Sequence, residues 1–420
     1  MDKRRVVITG LGTVNPAGHS IESTWSAVRR QAAAPRTAGV DDARLLPRVG
    51  QIDFTNLPIR KKETSRMNRG DALGVVSAVK AALAAGWIAD ESSDDKGLFF
   101  GTAKDTSAKR DFLMLIEPVS RLGYAAGAAA MVDNAMRYLT PFALLDCMPN
   151  LVLHYVSEIF KVRGDNCCFL HGGAAGASAI VTAFAAVRSG RLAAALAGGF
   201  DCTLDRLNLA RYASLGLLAT EHSDAACRPF DRRRDGFLPG EAGAAIVLED
   251  REAALARGAQ IHGEILGAGS ACEATVYPDT SSGRAVDRAL SAALSSARIE
   301  PRALGFIMAN GAGTVEGDRA EAFGIRSALG RACEEIPVTA LKGIFGHVMA
   351  GSGALELMMA LEALASGEIP PVCGCNEPDE RCRLRLIREE SFQTDAHSAA
   401  IVSVGLGGQT CALVVGRGDR

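Results

Sequence analysis

Aromatic side chains are scarce in this 420-residue chain, 5% of the whole with two tryptophans, so its core is not built from large rings. Alanine and glycine carry much of the apolar content instead, as in helices laid close over a parallel sheet. Charge of one sign is lacking too: 46 Lys and Arg face 48 Asp and Glu, and a net charge of -2 gives no field to attract nucleic acid or an acidic membrane. No uncharged apolar run reaches the roughly 18 residues of a membrane span. The first ten residues pass from charges straight into Val6-Val7-Ile8 without the layout of a signal or transit peptide, and a cytoplasmic location is expected. None of the eleven cysteines forms a C-x-x-C pair; the adjacent Cys167-Cys168 and the loose group Cys373, Cys375, Cys382 read as reduced thiols, and no metal or cofactor is expected.

What is present alternates. Apolar runs such as Arg5 to Thr9 and Gly97 to Gly101 are followed by alanine-rich helical stretches, the pattern of an α/β chain. A weak internal echo adds to this. Arg69 to Gly101 reads as a basic start, a helix over Val76 to Ala85 and a strand closing on Gly101; Arg284 to Gly311 repeats it with a helix over Val286 to Ala297 and a strand closing on Gly311. Two copies of one α/β unit predict halves at 1–250 and 251–420, joined near Glu249 to Ile261, where a charged helix (Asp250 to Gly258) follows the strand Ala244 to Leu248. No low-complexity linker separates them, so one body is expected.

Thr9 to Gly18 follows a strand and invites a dinucleotide reading, which fails. Asn15 stands where the third glycine of G-x-G-x-x-G belongs, and Pro16 interrupts the turn whose amides would cradle a pyrophosphate. A structural strand-to-helix turn is expected there. Arg163 to Ile180 is more informative: a strand through Cys167-Cys168, the turn His171-Gly172-Gly173, then an alanine-rich helix ending at Gly190. Such an elbow presents one side chain at the amino end of a helix, where the dipole and free amides lower a thiol's pKa or hold an oxyanion. The residue presented is Gly173.

This segment resembles the nucleophile elbow of the β-ketoacyl-acyl-carrier-protein synthases, the condensing enzymes of fatty acid and type II polyketide synthesis, and the resemblance covers nearly the whole chain. Thr9-Gly10-Leu11-Gly12 is similar to their opening strand, and Gly198-Gly199 to a core strand with its glycine turn. Pro229 to Gly243 is close to P-F-D-x-x-R-D-G-F-x-x-G-E-x-A, and Leu341 to Ala354 to K-x-x-x-G-H-x-x-G-A-A-G-A. The resemblance implies a thiolase fold, α/β, with two duplicated halves of mixed, largely parallel five-stranded sheets in a layered αβαβα arrangement. The departures bear on function. Anchored on Gly164 and Gly176, the family pattern puts Gly173 at the nucleophilic cysteine, and Asn310 at the first histidine. The second histidine is retained as His347, with Lys342, Glu356, Asp318 and Glu321 at supporting positions, and Leu406 replaces the aromatic of the gating loop. An amide donates a hydrogen bond but shuttles no proton near neutral pH. Cys167 or Cys168 could reach the elbow only by a slip that breaks both glycine anchors, so core packing is expected for both; His171 reads as a packing residue more than as a replacement base.

A ketosynthase-like chain without a nucleophile resembles the chain length factors, which pair with an active ketosynthase as a heterodimer, receive acyl carrier protein and set product length. No intact catalytic set is expected. Gly173 differs from the glutamine that such factors carry in aromatic pathways, which points to a branch making polyenes or other reduced chains. The family's tunnel and interface segment corresponds to about 109–160, with Leu113, Met114, Met136 and Phe142 as candidate lining residues, and the basic stretch with Lys61, Lys62, Arg66 and Arg69 is a candidate docking face for the carrier protein. Two alternatives stay open: a malonyl-thioester decarboxylase or transacylase using His347 and Asn310 without covalent capture, and a homodimer that binds acyl chains or carrier protein. Nucleic acid and membrane are not expected partners.

Overall fold

The computed structural model describes residues 4–38, 45–91, 93–104, 121–138, 148–220, 227–274 and 282–418. Ten strands build its main sheet: β1 (Val6–Val14), β2 (Lys96–Gly101), β3 (Asn166–Phe169), β4 (Ala194–Cys202), β5 (Glu241–Asp250), β6 (Gly263–Cys272), β7 (Phe306–Met308), β8 (Val338–Thr339), β9 (Ser398–Val404) and β10 (Gln409–Arg417). Their order is β8-β7-β9-β10-β6-β1-β5-β4-β2-β3, so each half of the chain contributes five adjacent strands. In the first half β3, β2, β4 and β1 run one way and β5 runs against them; in the second β8, β7, β9 and β6 run one way and β10 opposes. A short antiparallel contact of Val6 to Ile8 with Gly263 to Ile265 joins the halves.

Six helices complete the layers: α1 (Arg69–Ala84), α2 (Leu151–Phe160), α3 (Ala175–Arg188), α4 (Arg284–Ala297), α5 (Val315–Leu329) and α6 (Gly351–Ser366). Helices α3 and α6 touch strands of both half-sheets and form the central layer, α1 and α2 cover the first half-sheet, and α4 with α5 covers the second. Central strands therefore have both faces covered, which is why β1 reads VVITGLGTV with every residue buried. The repeat seen in the sequence has a spatial counterpart: β2 and β7, which close its two copies, both lie second from an outer edge of the sheet.

Glycine explains the scarcity of rings. A Cβ on Gly10 or Gly12 would come within 2.2 Å of an α1 carbonyl, and on Gly267 or Gly269 within 2.4 Å or less of an α4 carbonyl, so each outer helix rests directly on strand backbone. Two expectations change accordingly. Gly10 and Gly12 lie within β1 rather than in a strand-to-helix turn, and Gly198-Gly199 lies within β4, where added Cβ atoms would meet Ala244 and Ala350 carbonyls at 2.1 Å. Among the described residues, no helix is long and apolar enough to cross a membrane, and no cluster of three or more potential metal ligands occurs.

Candidate functional site

The elbow forms where the sequence placed it. β3 ends at Phe169, Gly172 takes a φ of +71°, and a single tight turn over Gly172–Ala174 leads into α3. The corresponding place in the second half is the turn before α6, where Gly346 has a φ of +73° and His347 is fully packed in. A Cβ built on Gly173 would stand 2.9 Å from the Val404 carbonyl oxygen, 3.2 Å from Cε1 of His347 and 3.7 Å from its Nε2. Gly173 and His347, 174 positions apart in the sequence, thus face each other directly.

His347 accepts a hydrogen bond at Nδ1 from the Met349 amide (3.2 Å), so the neutral ring carries its proton on Nε2, the nitrogen nearer Gly173. Burial, and after it the Lys342 ammonium, holds its pKa well below the usual histidine value. The Phe237 ring lies edge-on to it, with centroids 5.0 Å apart. Asn310 follows β7; Lys342 Nζ donates to its carbonyl oxygen (2.6 Å) and its Oδ1 (3.2 Å), and also to Glu356 Oε1 (2.6 Å). The Val404 amide reaches the same Oδ1 at 3.3 Å. Lys342 therefore ties together Asn310 and Glu356, two of the residues singled out in the sequence.

The remaining carboxylates serve the loop that carries Asn310. Glu321 accepts from the amides of Asn310 (2.6 Å) and Gly311 (2.8 Å), and Asp318 from those of Phe230 (2.7 Å) and Gly313 (2.9 Å). The Pro229 to Gly243 motif does the same work from the other side: buried Arg234 donates to the carbonyls of Thr314 (3.0 Å) and Val315 (2.6 Å) and pairs with Asp379 at 2.7 Å. Asp201 was missed in the sequence. It accepts from Ala350 N (2.7 Å), Ala103 N (2.7 Å) and Thr102 Oγ1 (2.9 Å), binding the His347 turn to the end of β2. Its signal was an acidic residue directly after the apolar run Ala194 to Phe200.

Buried carboxyls make the site pH-sensitive. Glu321 is pushed up to about 8 by burial and by Asp318, and Asp201 and Glu356 up to about 7 by burial, in Glu356 against the pull of Lys342. Each holds its proton longer folded than unfolded, so stability falls as pH rises from the ordinary carboxylate value up to the folded value, and levels off above it. His347 has the opposite shift and costs stability only below its ordinary 6.5. From pH 6.5 to 8 the free energy of unfolding should then fall by about 2 to 3 kcal/mol, measured by urea titration at several pH values. A flat or rising profile would contradict the assignment.

The other candidates are dispersed. Leu406 lies in the turn between β9 and β10, half-buried against the apolar group that contains Phe237 and Met349. Cys167 and Cys168 sit on β3 and not at the elbow, and burial, then Cys167, pushes the Cys168 thiol up to about 11. His171 is half-buried with its ring edge-on to Phe169. Lys61, Lys62 and Arg66 are exposed. Arg69 is engaged inward, where its Nε and Nη2 each lie 2.6 Å from a carboxylate oxygen of the fully buried Glu241, and it also reaches the Val49 carbonyl. Leu113, Met114 and Phe142 lie outside the described residues, as does the side chain of Met136.

The Beta-ketoacyl synthase, N-terminal domain family matches residues 3–254, and the Beta-ketoacyl synthase, C-terminal domain family matches residues 262–376. The 3-oxoacyl-[acyl-carrier-protein] synthase 2 of Synechocystis sp. is 30% identical over 422 residues, 98% of each chain. Among solved structures, one described as the ishigamide ketosynthase/chain length factor aligns with a TM-score of 0.86 at 26% identity, over 99% of this chain and 100% of that one. A beta-ketoacyl synthase from Burkholderia phymatum STM815 aligns at 0.85 with 27% identity and the same coverage. The layered architecture is the thiolase fold.

Proposed function

Since this chain belongs to the β-ketoacyl synthase family, we propose that it is a non-condensing member, a chain length factor that pairs with a cysteine-bearing ketosynthase, walls part of the acyl tunnel and receives acyl carrier protein at the paired assembly. One observation carries the reading: the side-chain position that faces His347 Nε2 belongs to Gly173, which has no atom to acylate. The thiols argue the same way. Burial pushes Cys168 and Cys411 up to about 11 and Cys227, Cys375 and Cys382 up to about 12, so none of these is a thiolate near neutral pH. The similarity to a structure described as a ketosynthase/chain length factor supports the pairing, while the curated relative bears the name of a synthase. The same reading divides the chain into halves at 1–250 and 251–420.

A second reading has its own observation. His347 Nε2–H and the Asn310 amide group are neutral hydrogen-bond donors that could stabilise the enolate oxygen left when a malonyl thioester loses carbon dioxide, with no covalent capture. The proton that quenches that carbanion would come from water. Two measurements separate the readings. Incubated alone with acyl carrier protein thioesters, the chain should show no acyl adduct by intact mass and release no carbon dioxide from malonyl carrier protein. Coexpressed with a cysteine-bearing ketosynthase, it should co-purify one to one. A stoichiometric adduct on the isolated chain would end the chain-length-factor proposal, and carbon dioxide release lost in His347→Ala would transfer it to the decarboxylase.

A further inference from the structure

The turn that carries His347 contains a residue in an uncommon backbone conformation. Met349, buried, takes a φ of +44°, the left-handed region that residues with a Cβ rarely adopt. Its amide is the donor to His347 Nδ1, so the hydrogen bond that sets the ring tautomer depends on that backbone angle. The anchors on His347 itself lie upstream of Met349 and do not fix the angle: its amide donates to the Leu238 carbonyl (2.7 Å), and its carbonyl accepts from the Gly240 amide (2.9 Å). Downstream, the Ala350 amide donates to Asp201 Oδ2 at 2.7 Å. Asp201 is buried on β4, and its other oxygen, Oδ1, is held by Thr102 Oγ1 (2.9 Å) and the Ala103 amide (2.7 Å). Gly176 and Gly199 leave room for this approach, since a Cβ on either would stand 2.1 Å from the Ala350 carbonyl oxygen.

We propose that Asp201 is a positioning residue for His347: by gripping the Ala350 amide it keeps Met349 left-handed and the Met349 amide on Nδ1, and so keeps the ring proton on Nε2, the nitrogen nearer position 173. The inference stands apart from the choice between chain length factor and decarboxylase, because a ring so fixed is a hydrogen-bond donor toward position 173 in either. Without the carboxylate the strained residue has a route to relax. Met349 turns to negative φ, its amide swings away from Nδ1, and the neutral imidazole moves its proton to Nδ1, which leaves a lone pair on Nε2 where a donor stood.

The tautomer itself is the readout. NMR of the full chain with isotopically labelled histidine ring nitrogens, recorded above the Asp201 pKa of about 7 so that the carboxylate is ionised, gives the His347 signals by comparison with His347→Ala. The wild-type ring should carry its proton on Nε2 alone. Folded Asp201→Ala should lose that single form, with the Nδ1–H form appearing; ring nitrogens at their wild-type shifts overturn the proposal, because a merely structural carboxylate would lower stability and leave the tautomer in place. Met349→Gly supplies a second arm, since glycine takes a positive φ without strain. The drop in urea midpoint caused by Asp201→Ala should be smaller in that background than in the wild-type one, and equal drops overturn the proposal. Should Asp201→Ala not fold, hydrogen exchange on the wild-type chain decides. The Met349 and Ala350 amides should be released in one opening event with equal protection, and a Met349 amide that exchanges independently of Ala350 breaks the link on which the proposal depends.

Discussion

Replacing Gly173 with cysteine, in a background where the exposed Cys272 is serine, should create a thiol that reacts with iodoacetamide about tenfold or more faster than the buried native ones. The expectation comes from placement. A side chain there stands at the entry to α3 and 3.2 Å from the His347 ring, whose Nε2 proton can hydrogen-bond a thiolate. The native thiols with resolved shifts are all pushed the other way by burial, Cys168 up to about 11 and Cys227 up to about 12 among them. There is a steric cost: the new Cβ would lie 2.9 Å from the Val404 carbonyl oxygen, closer than a side chain sits to backbone, so the end of β9 must shift, at about 1 to 3 kcal/mol. Peptide mapping of the labelled chain gives the rate at each cysteine. Labelling at position 173 no faster than at Cys168 would mean that the elbow does not present this residue to His347.

The largest stability change should follow Lys342→Met. Lys342 and Glu356 are almost completely buried and 2.6 Å apart, and the same ammonium holds the Asn310 carbonyl at 2.6 Å. Removing the ammonium leaves the Glu356 carboxyl and the Asn310 carbonyl without that partner in the interior; above the Glu356 value of about 7 the loss should be about 3 to 5 kcal/mol, and below it smaller, because the carboxyl takes up a proton. Urea unfolding measures the loss, and Lys342→Met combined with Glu356→Gln should recover a large part of it, because the amide has no charge to strand. A second readout is specific to the site. The ammonium is one of the two causes that depress the His347 pKa, so that pKa should rise in the single variant when followed by NMR. Wild-type stability in Lys342→Met would show that Lys342 is not needed to balance the carboxylates around it.

Parts of this site were legible because local chemistry marks them. A glycine pair between an apolar strand and an alanine-rich helix can hardly be anything but a tight turn, and Gly172 does take the positive φ that such a turn requires. His347, Asn310, Lys342 and Glu356 stood out through resemblance, and in the structure Lys342 hydrogen-bonds both Asn310 and Glu356. Other readings went astray where spacing was silent about neighbours. Gly10, Gly12 and Gly198-Gly199 look like turn residues in a string of letters, yet they lie in strands and are small because neighbouring backbone rests on them. Arg69 reads as one more charge of a basic docking face, and spacing gave no hint that it also pairs with a buried carboxylate 172 positions away. Asp201 drew no attention because its three partners come from two distant turns.

By itself, the sequence determined the fold class, the repeat, the elbow and the residue types available for chemistry, since alternation, glycine spacing and the absence of a side chain at position 173 are properties of the chain in one dimension. Only the tertiary structure decided which charges are paired with buried partners, that position 173 faces the His347 ring, and which carboxyls hold protons near neutral pH. Those outcomes depend on burial and on partners brought together from remote segments. Electrostatic energy in a folded interior is set by distance and solvent exclusion, neither of which can be read from position along the chain.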